Sequence, residues 1–196
     1  MSEKMQISSN ERYRNWTCVI YPGDSCPDNY AEILDARHIE WVESPLHDKD
    51  INADGTPKKL HKHLGFLFDG KKTYEQVKEI CDLVNGTIPQ RVHNMKSLVR
   101  YFAHLDNPEK AQYNIADVVA HGGVDVIGIL TPTSAERYTI VRDMMQFCID
   151  AEIYEFSDLA QYAMDNYYDT WFPVLIDHNT LAMQTFLSSR RNKYKK

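Results

Sequence analysis

His61-Lys62-His63-Leu64-Gly65-Phe66-Leu67-Phe68 alternates two kinds of side chain, and that alternation decides the fold. Successive side chains of a strand point to opposite faces. His61 and His63 therefore share one face, and Gly65 follows on it and leaves space beside them. Leu64, Phe66 and Phe68 point the other way, towards a core. Upstream stands Ser44-Pro45-Leu46-His47-Asp48-Lys49-Asp50. Two imidazoles on one face, with a third imidazole and carboxylates a short loop away, suit a divalent-metal site.

Working outward, residues 16–21 read as a buried strand ended by Pro22-Gly23-Asp24. Residues 28–37 read as a short helix that Asp28 could cap. Residues 38–43 alternate like a strand and pair with residues 60–68, and Asp54-Gly55 supplies a tight turn between them. A helix over 73–84 stops at Asn85-Gly86. A strand over 87–92 follows, then a helix over 94–105 that ends before Pro108. Residues 113–130 hold a short edge strand and a loop with Gly122, Gly123 and Gly128. This order predicts an α+β fold, an antiparallel sheet with flanking helices on the split βαβ plan. Past Pro132 the pattern turns helical, with helices over 134–149, 156–168 and 171–187. A boundary at 131/132 separates a first domain (1–131) from a small all-α domain (132–196).

The chain has 196 residues and a formal charge of −6, so no global basic field attracts nucleic acid. Local counts differ. Between Lys49 and Arg100 there are ten Lys/Arg against six Asp/Glu, whereas 136–177 holds nine acidic and two basic residues. The last seven residues carry five positive charges. A basic working surface on the first part and an acidic second part fit this polarity. The four cysteines lack a CxxC pair or a disulfide rhythm and read as free thiols of a reducing cytosol. No run approaches the roughly 20 apolar residues of a membrane span, and the polar start lacks a signal peptide's apolar core.

His47, Asp50, His61 and His63 offer three nitrogens and one carboxylate, enough to hold a transition metal with positions left open. Asp48 is a candidate second acceptor that would fix a histidine tautomer. Asp50, Asn52, Asp54 and Gly55 imitate the opening of a calcium loop. The position that should be a bidentate Glu is His61, and strands flank the loop, so an EF-hand is excluded. In the helix from Asn94, the residues Met95, Leu98, Val99 and Phe102 form the buried stripe. Tyr101 lies on its flank with Ser97 and His104, able to expose its hydroxyl. A phenol is a weak nucleophile unless a cation or base helps it. By spacing alone, Tyr101 is equally one of twelve tyrosines packing at a rim.

The motifs SPLHDKD, HKHLGFLF and VRYFAHLDNPEK, in this order, resemble the rolling-circle plasmid replication initiators of the RepB-like branch of the HUH endonuclease superfamily. The likeness covers residues 14–115. The helical tail matches that family's oligomerisation domain in size, position and character. The resemblance implies an HUH-type, origin-binding and endonuclease domain, followed by a helical oligomerisation domain. It makes His61 and His63 the paired histidines, His47 and Asp50 the remaining metal ligands and Tyr101 the nucleophile. It implies manganese or magnesium as cofactor, and three imidazoles favour manganese. Its partners would be the plasmid origin, with direct repeats and a hairpin nick site, host replication proteins and copies of the chain, hexamers among the family's rings, in a bacterial cytoplasm. Lys58, Lys59, Lys71, Lys72, Arg91, Lys96 and Arg100 are the candidate DNA contacts. Two departures stand out. Lys62 occupies a position where the family has a bulky apolar residue; its stem is expected along the core edge with the amine in water. No second tyrosine stands at 97, 98, 104 or 105, and Tyr113 falls outside the helix. Two other functions stay open: a metal hydrolase in which water attacks, and a non-catalytic origin-binding protein.

Overall fold

The computed structural model describes residues 11–177 and 179–194, which form two compact units meeting between Leu130 and Thr131. Lys195 and Lys196 of the basic tail lie outside the described residues.

The first unit is built on a sheet of five strands: β1 (Arg12–Ile20), β2 (Glu40–Glu43), β3 (Lys62–Thr73), β4 (Gln90–Arg91) and β5 (Val119–His121). Their order is β4-β1-β3-β2-β5, and every pairing among them is antiparallel. The central strand is the one whose sequence alternates. Its register sets Phe66 opposite Trp16 and Trp41, and Leu64 opposite Cys18. These side chains form one buried face with Leu34 of α1 (Tyr30–Asp35) and with Val77 and Cys81 of α2 (Tyr74–Leu83). α2 begins at a reciprocal capping box between Thr73 and Gln76.

The opposite face is covered by α3 (Met95–Phe102), which Asn94 starts by accepting the Ser97 amide. Met95, Val99 and Phe102 are buried against Val42. The space expected beside Gly65 is taken by this helix: a Cβ at that position would meet Leu98 Cδ2 and Val42 Cγ2 at 3.0 Å and Met95 Cε at 3.2 Å. Glycine here lets helix and sheet approach closely. The β2–β3 connection is a hairpin arm with Gly55 at φ +83° in its turn. β5 is the short edge strand, and α4 (Val126–Leu130) adds its apolar side to the α3 layer.

Several boundaries differ from the sequence reading. Asp28 does not cap α1; the helix opens at Asn29 without a side-chain cap, because Pro27 and Asp28 are spent on a turn. The strand expected over 87–92 pairs only at Gln90 and Arg91, while Thr87 instead bonds the β1 backbone at Val19. α3 stops at Phe102 rather than 105, since His104 adopts φ +56°.

The second unit contains α5 (Ser134–Asp150), α6 (Phe156–Asn166), α7 (Trp171–Asp177) and α8 (Thr180–Tyr194). Met144, Cys148, Leu159, Ala163, Val174, Leu175, Met183 and Leu187 form its core. Thr133 and Glu136 build a capping box on α5, and the Arg190 guanidinium donates to the Cys148 and Ile153 carbonyls beyond its last turn. The single helix expected over 171–187 is two helices. Asn179 and Thr180 side chains bond the carbonyls of Val174, Leu175 and Ile176, offering the backbone an alternative to continuing the helix. All four cysteines are buried and free.

Candidate metal centre

Main-chain pairing brings the two histidine motifs together. The Ser44 amide bonds the His63 carbonyl, the His63 amide bonds Ser44 Oγ, and the His47 amide bonds the His61 carbonyl at 2.8 Å. The segment after β2 thus continues antiparallel to β3 and sets His47 opposite His61. Ring centroids lie 5.1 Å apart for His47–His61, 5.0 Å for His47–His63 and 5.2 Å for His61–His63. Asp50 Oδ2 stands 3.6 Å from His47 Nδ1 and 3.7 Å from His61 Nε2. The four residues named from the sequence therefore converge on one small volume.

Hydrogen bonds fix which nitrogens are free to act as donors to a metal. A carbonyl oxygen only accepts, so the ring nitrogen facing it carries the proton. His47 Nε2 donates to Phe102 O at 2.8 Å, and His61 Nδ1 donates to Lys59 O at 2.8 Å. That leaves lone pairs on His47 Nδ1 and His61 Nε2, the two atoms beside Asp50. His47 Nδ1 is buried and has no hydrogen-bond partner among the described residues. Buried polar atoms are rarely left so, and an ion is a standard reason. The acceptors that orient these rings are backbone carbonyls; Asp48, read as such an acceptor, is exposed.

The electrostatics suit a cation. Burial pushes His63 down to about 3, helped by the crowding of His47, His61 and His104. Burial likewise lowers His47. Burial works against the charge on Asp50. Even so, the His47 and His104 imidazoles, the Tyr113 hydroxyl and the Lys58 ammonium hold its carboxyl below the usual range. Neutral imidazoles beside an ionised carboxylate are the protonation states that metal binding requires. These residues fit a divalent transition metal.

Tyr101 is half-buried on α3, with its ring 5.3 Å from that of His63 in an edge-on arrangement. Lys110 Nζ lies 3.5 Å from its hydroxyl and 4.6 Å from its ring centre. Two residues were not read as part of the centre from sequence. His104 is fully buried with its ring 4.8 Å from His47 and 5.2 Å from Tyr101. Tyr113 stacks on His47 at 4.3 Å, donates to Asp50 Oδ1 at 3.2 Å and accepts the Lys49 amide at 3.0 Å. Their only sequence signals were His104's place on the Tyr101 flank and a tyrosine soon after the helix.

The candidate DNA contacts are dispersed. Lys58 Nζ stands 3.8 Å from Asp50 Oδ2, and Lys59 pairs with Asp24 and lies over Tyr21. Arg91 bonds Glu11 and the Tyr13 hydroxyl, and Arg100 bonds Asp106 in a bidentate fork. Lys96 is half-buried on α3. Lys71 and Lys72 sit at the far end of β3, about 30 Å from His61 at the usual rise per residue, so they share no patch with Lys58 and Lys59. Lys62 departs from the expectation of an amine in water. Its Nζ bonds the buried Glu43 at 3.1 Å and the Tyr30 hydroxyl at 3.0 Å.

Comparison with known proteins gives two family matches. Residues 8–127 match the origin binding domain of plasmid replication proteins, and residues 134–192 match the C-terminal region of replication protein RepB. The chain is 42% identical over 191 residues to a replication protein of Staphylococcus aureus, covering 97% of this chain and 96% of the relative. It is 39% identical over 184 residues to a replication protein RepB of Lactiplantibacillus plantarum, covering 93% and 83%. A replication protein RepB of Streptococcus agalactiae is 25% identical over 139 residues, 66% of each chain.

Proposed function

Because this chain belongs to the RepB-type plasmid replication proteins and carries their origin-binding domain, we propose that it nicks one strand of its origin with Tyr101 as nucleophile. The observation that supports this most is the lone-pair arrangement: His47 Nδ1 and His61 Nε2 flank one Asp50 oxygen, with His63 between them and Tyr101. His47, Asp50, His61 and His63 would hold the ion. A divalent cation bound there supplies positive charge that polarises a phosphoryl oxygen.

The chain's own residues supply the rest. α3 holds the Tyr101 phenol at the edge of the imidazole cluster. Lys110 places a positive charge 3.5 Å from the phenolic oxygen, where negative charge develops as its proton leaves. That oxygen forms a bond to phosphorus, the P–O3′ bond breaks, and the departing 3′ oxygen takes up a proton. The products are a 5′-phosphotyrosyl link and a 3′-hydroxyl that primes synthesis. The link keeps the phosphodiester energy, so a later 3′-hydroxyl rejoins the strand without ATP. Manganese matches a donor set dominated by imidazole better than magnesium does. Lys58 and Lys59, on the arm leading into β3, are the basic residues nearest this chemistry in sequence.

An oligonucleotide carrying the nick site, mixed with the protein and Mn²⁺, should give a covalent protein–DNA adduct. The adduct should vanish with chelator and in Tyr101→Phe. Cleavage that persists in Tyr101→Phe with free 5′-phosphate ends would instead establish attack by water. No cleavage by the native chain on its own origin would leave a binding protein.

The helical unit is proposed to assemble copies of the chain. Phe147, Trp171, Phe172 and Phe186 pack against its own core, whereas Tyr138, Tyr168 and Leu181 are 76%, 64% and 78% exposed.

A further inference from the structure

We propose that His104 is a fifth protein ligand of the divalent ion, an inference that rests on the metal reading of the site given above. His104 Nδ1 donates to Ala111 O at 2.7 Å, so the lone pair belongs to Nε2. Nε2 is buried and has no hydrogen-bond partner among the described residues. Donor atoms of His47, Asp50 and His104 lie within 4.8 Å of one another, as do those of His47, His61 and His63. The two triads share His47 and make one basin of four imidazoles and a carboxylate.

The backbone adds an independent argument. His104 sits at φ +56°, just past the end of α3, where glycine or asparagine is the usual residue. It is also fully buried. A histidine there suffers both the left-handed backbone and an unpaired buried nitrogen, and packing alone gives no reason to keep it. A bond from Nε2 to a cation offsets both costs. The loop after α3 is shaped to hold this tautomer: the Tyr113 amide bonds Ala103 O, and that return brings the Ala111 carbonyl onto Nδ1. His104 is three residues from Tyr101, so a metal bond here would fasten the end of α3 that carries the nucleophile.

The test uses the full chain. With Co²⁺ bound, each ligating imidazole keeps one N–H, which appears as a far-shifted exchangeable proton resonance. Four such resonances are expected from the unmodified chain; three or fewer overturn the assignment. In parallel, His104→Gly suits the positive φ and removes the donor. Its Mn²⁺ dissociation constant should rise at least tenfold and recover on addition of free imidazole. An unchanged constant in a folded variant overturns the proposal for His104 alone. If the unmodified chain binds neither ion, or His61→Ala binds as tightly as the unmodified chain, the metal reading of the whole centre fails with it.

Discussion

Gly65→Ala tests how closely the nucleophile's helix is tied to the strand of the histidines. The new methyl would stand 3.0 Å from Val42 Cγ2 and Leu98 Cδ2 and 3.2 Å from Met95 Cε. Leu98 and Met95 present the free ends of flexible side chains and can yield. Val42 cannot: it is fully buried, β-branched and directly opposite Gly65 in the β2–β3 ladder. Overpacking of this kind costs about 1–3 kcal/mol. Replacing a strand glycine returns about 0.5–1 kcal/mol of chain entropy. The net effect is a loss of about 1 kcal/mol, or about 3 °C in melting temperature for a chain of this length. Relief of the contact moves α3 outward by a few tenths of an ångström, and Tyr101 with it. Since a 1 Å misplacement costs about a hundredfold, adduct formation should slow about three- to fivefold. Thermal unfolding in EDTA and single-turnover adduct kinetics read the two effects. Val42→Ala in the same chain should recover part of the stability, giving a coupling of about 1 kcal/mol. A Gly65→Ala variant as stable and as fast as the native chain would refute the claim that this contact sets the position of α3.

Two more outcomes are expected. His63 titrates at about 3 in the folded chain against 6.5 ordinarily, so the unfolded state takes up its proton first. The stability of the metal-free chain should therefore fall as pH drops from about 6.5 towards 3, by about 1–2 kcal/mol between pH 6.5 and 5. Urea unfolding in EDTA at the two pH values measures it, and a slope unchanged in His63→Asn would remove His63 as its cause. Light scattering at micromolar concentration should give a mass above that of one chain; a monomer would refute assembly through the exposed Tyr138, Tyr168 and Leu181.

The sheet was legible because a period of two leaves a strong trace: the alternation that separates His61 and His63 from Leu64, Phe66 and Phe68 survives into the structure unchanged. The convergence of His47 and Asp50 on that strand was legible as a spacing. Other features were not. The break at Asn179-Thr180 depends on side chains choosing backbone partners, which apolar periodicity cannot register. Lys62 looked misplaced because its sequence neighbours say nothing of Glu43 and Tyr30 across the sheet. Burial and that carboxylate push the Tyr30 phenol up to about 13 or beyond the ordinary range, so the trio stays as one ammonium, one carboxylate and one neutral hydroxyl. His104 was hidden for a different reason. Helical spacing put it on the flank of α3, whereas its ring direction is set by a single residue of left-handed backbone.

The carbonyls of Lys59, Phe102 and Ala111 hold the protons of three imidazoles. Each belongs to the peptide chain, so no exchange of one side chain for another removes the acceptor. Ring orientation at this centre is then inherited from the path of the polypeptide. Sequence drift around it is tolerated so long as that path is kept, and a local slip of the 103–113 segment would misalign imidazoles and phenol together, silencing cleavage without altering a single ligand.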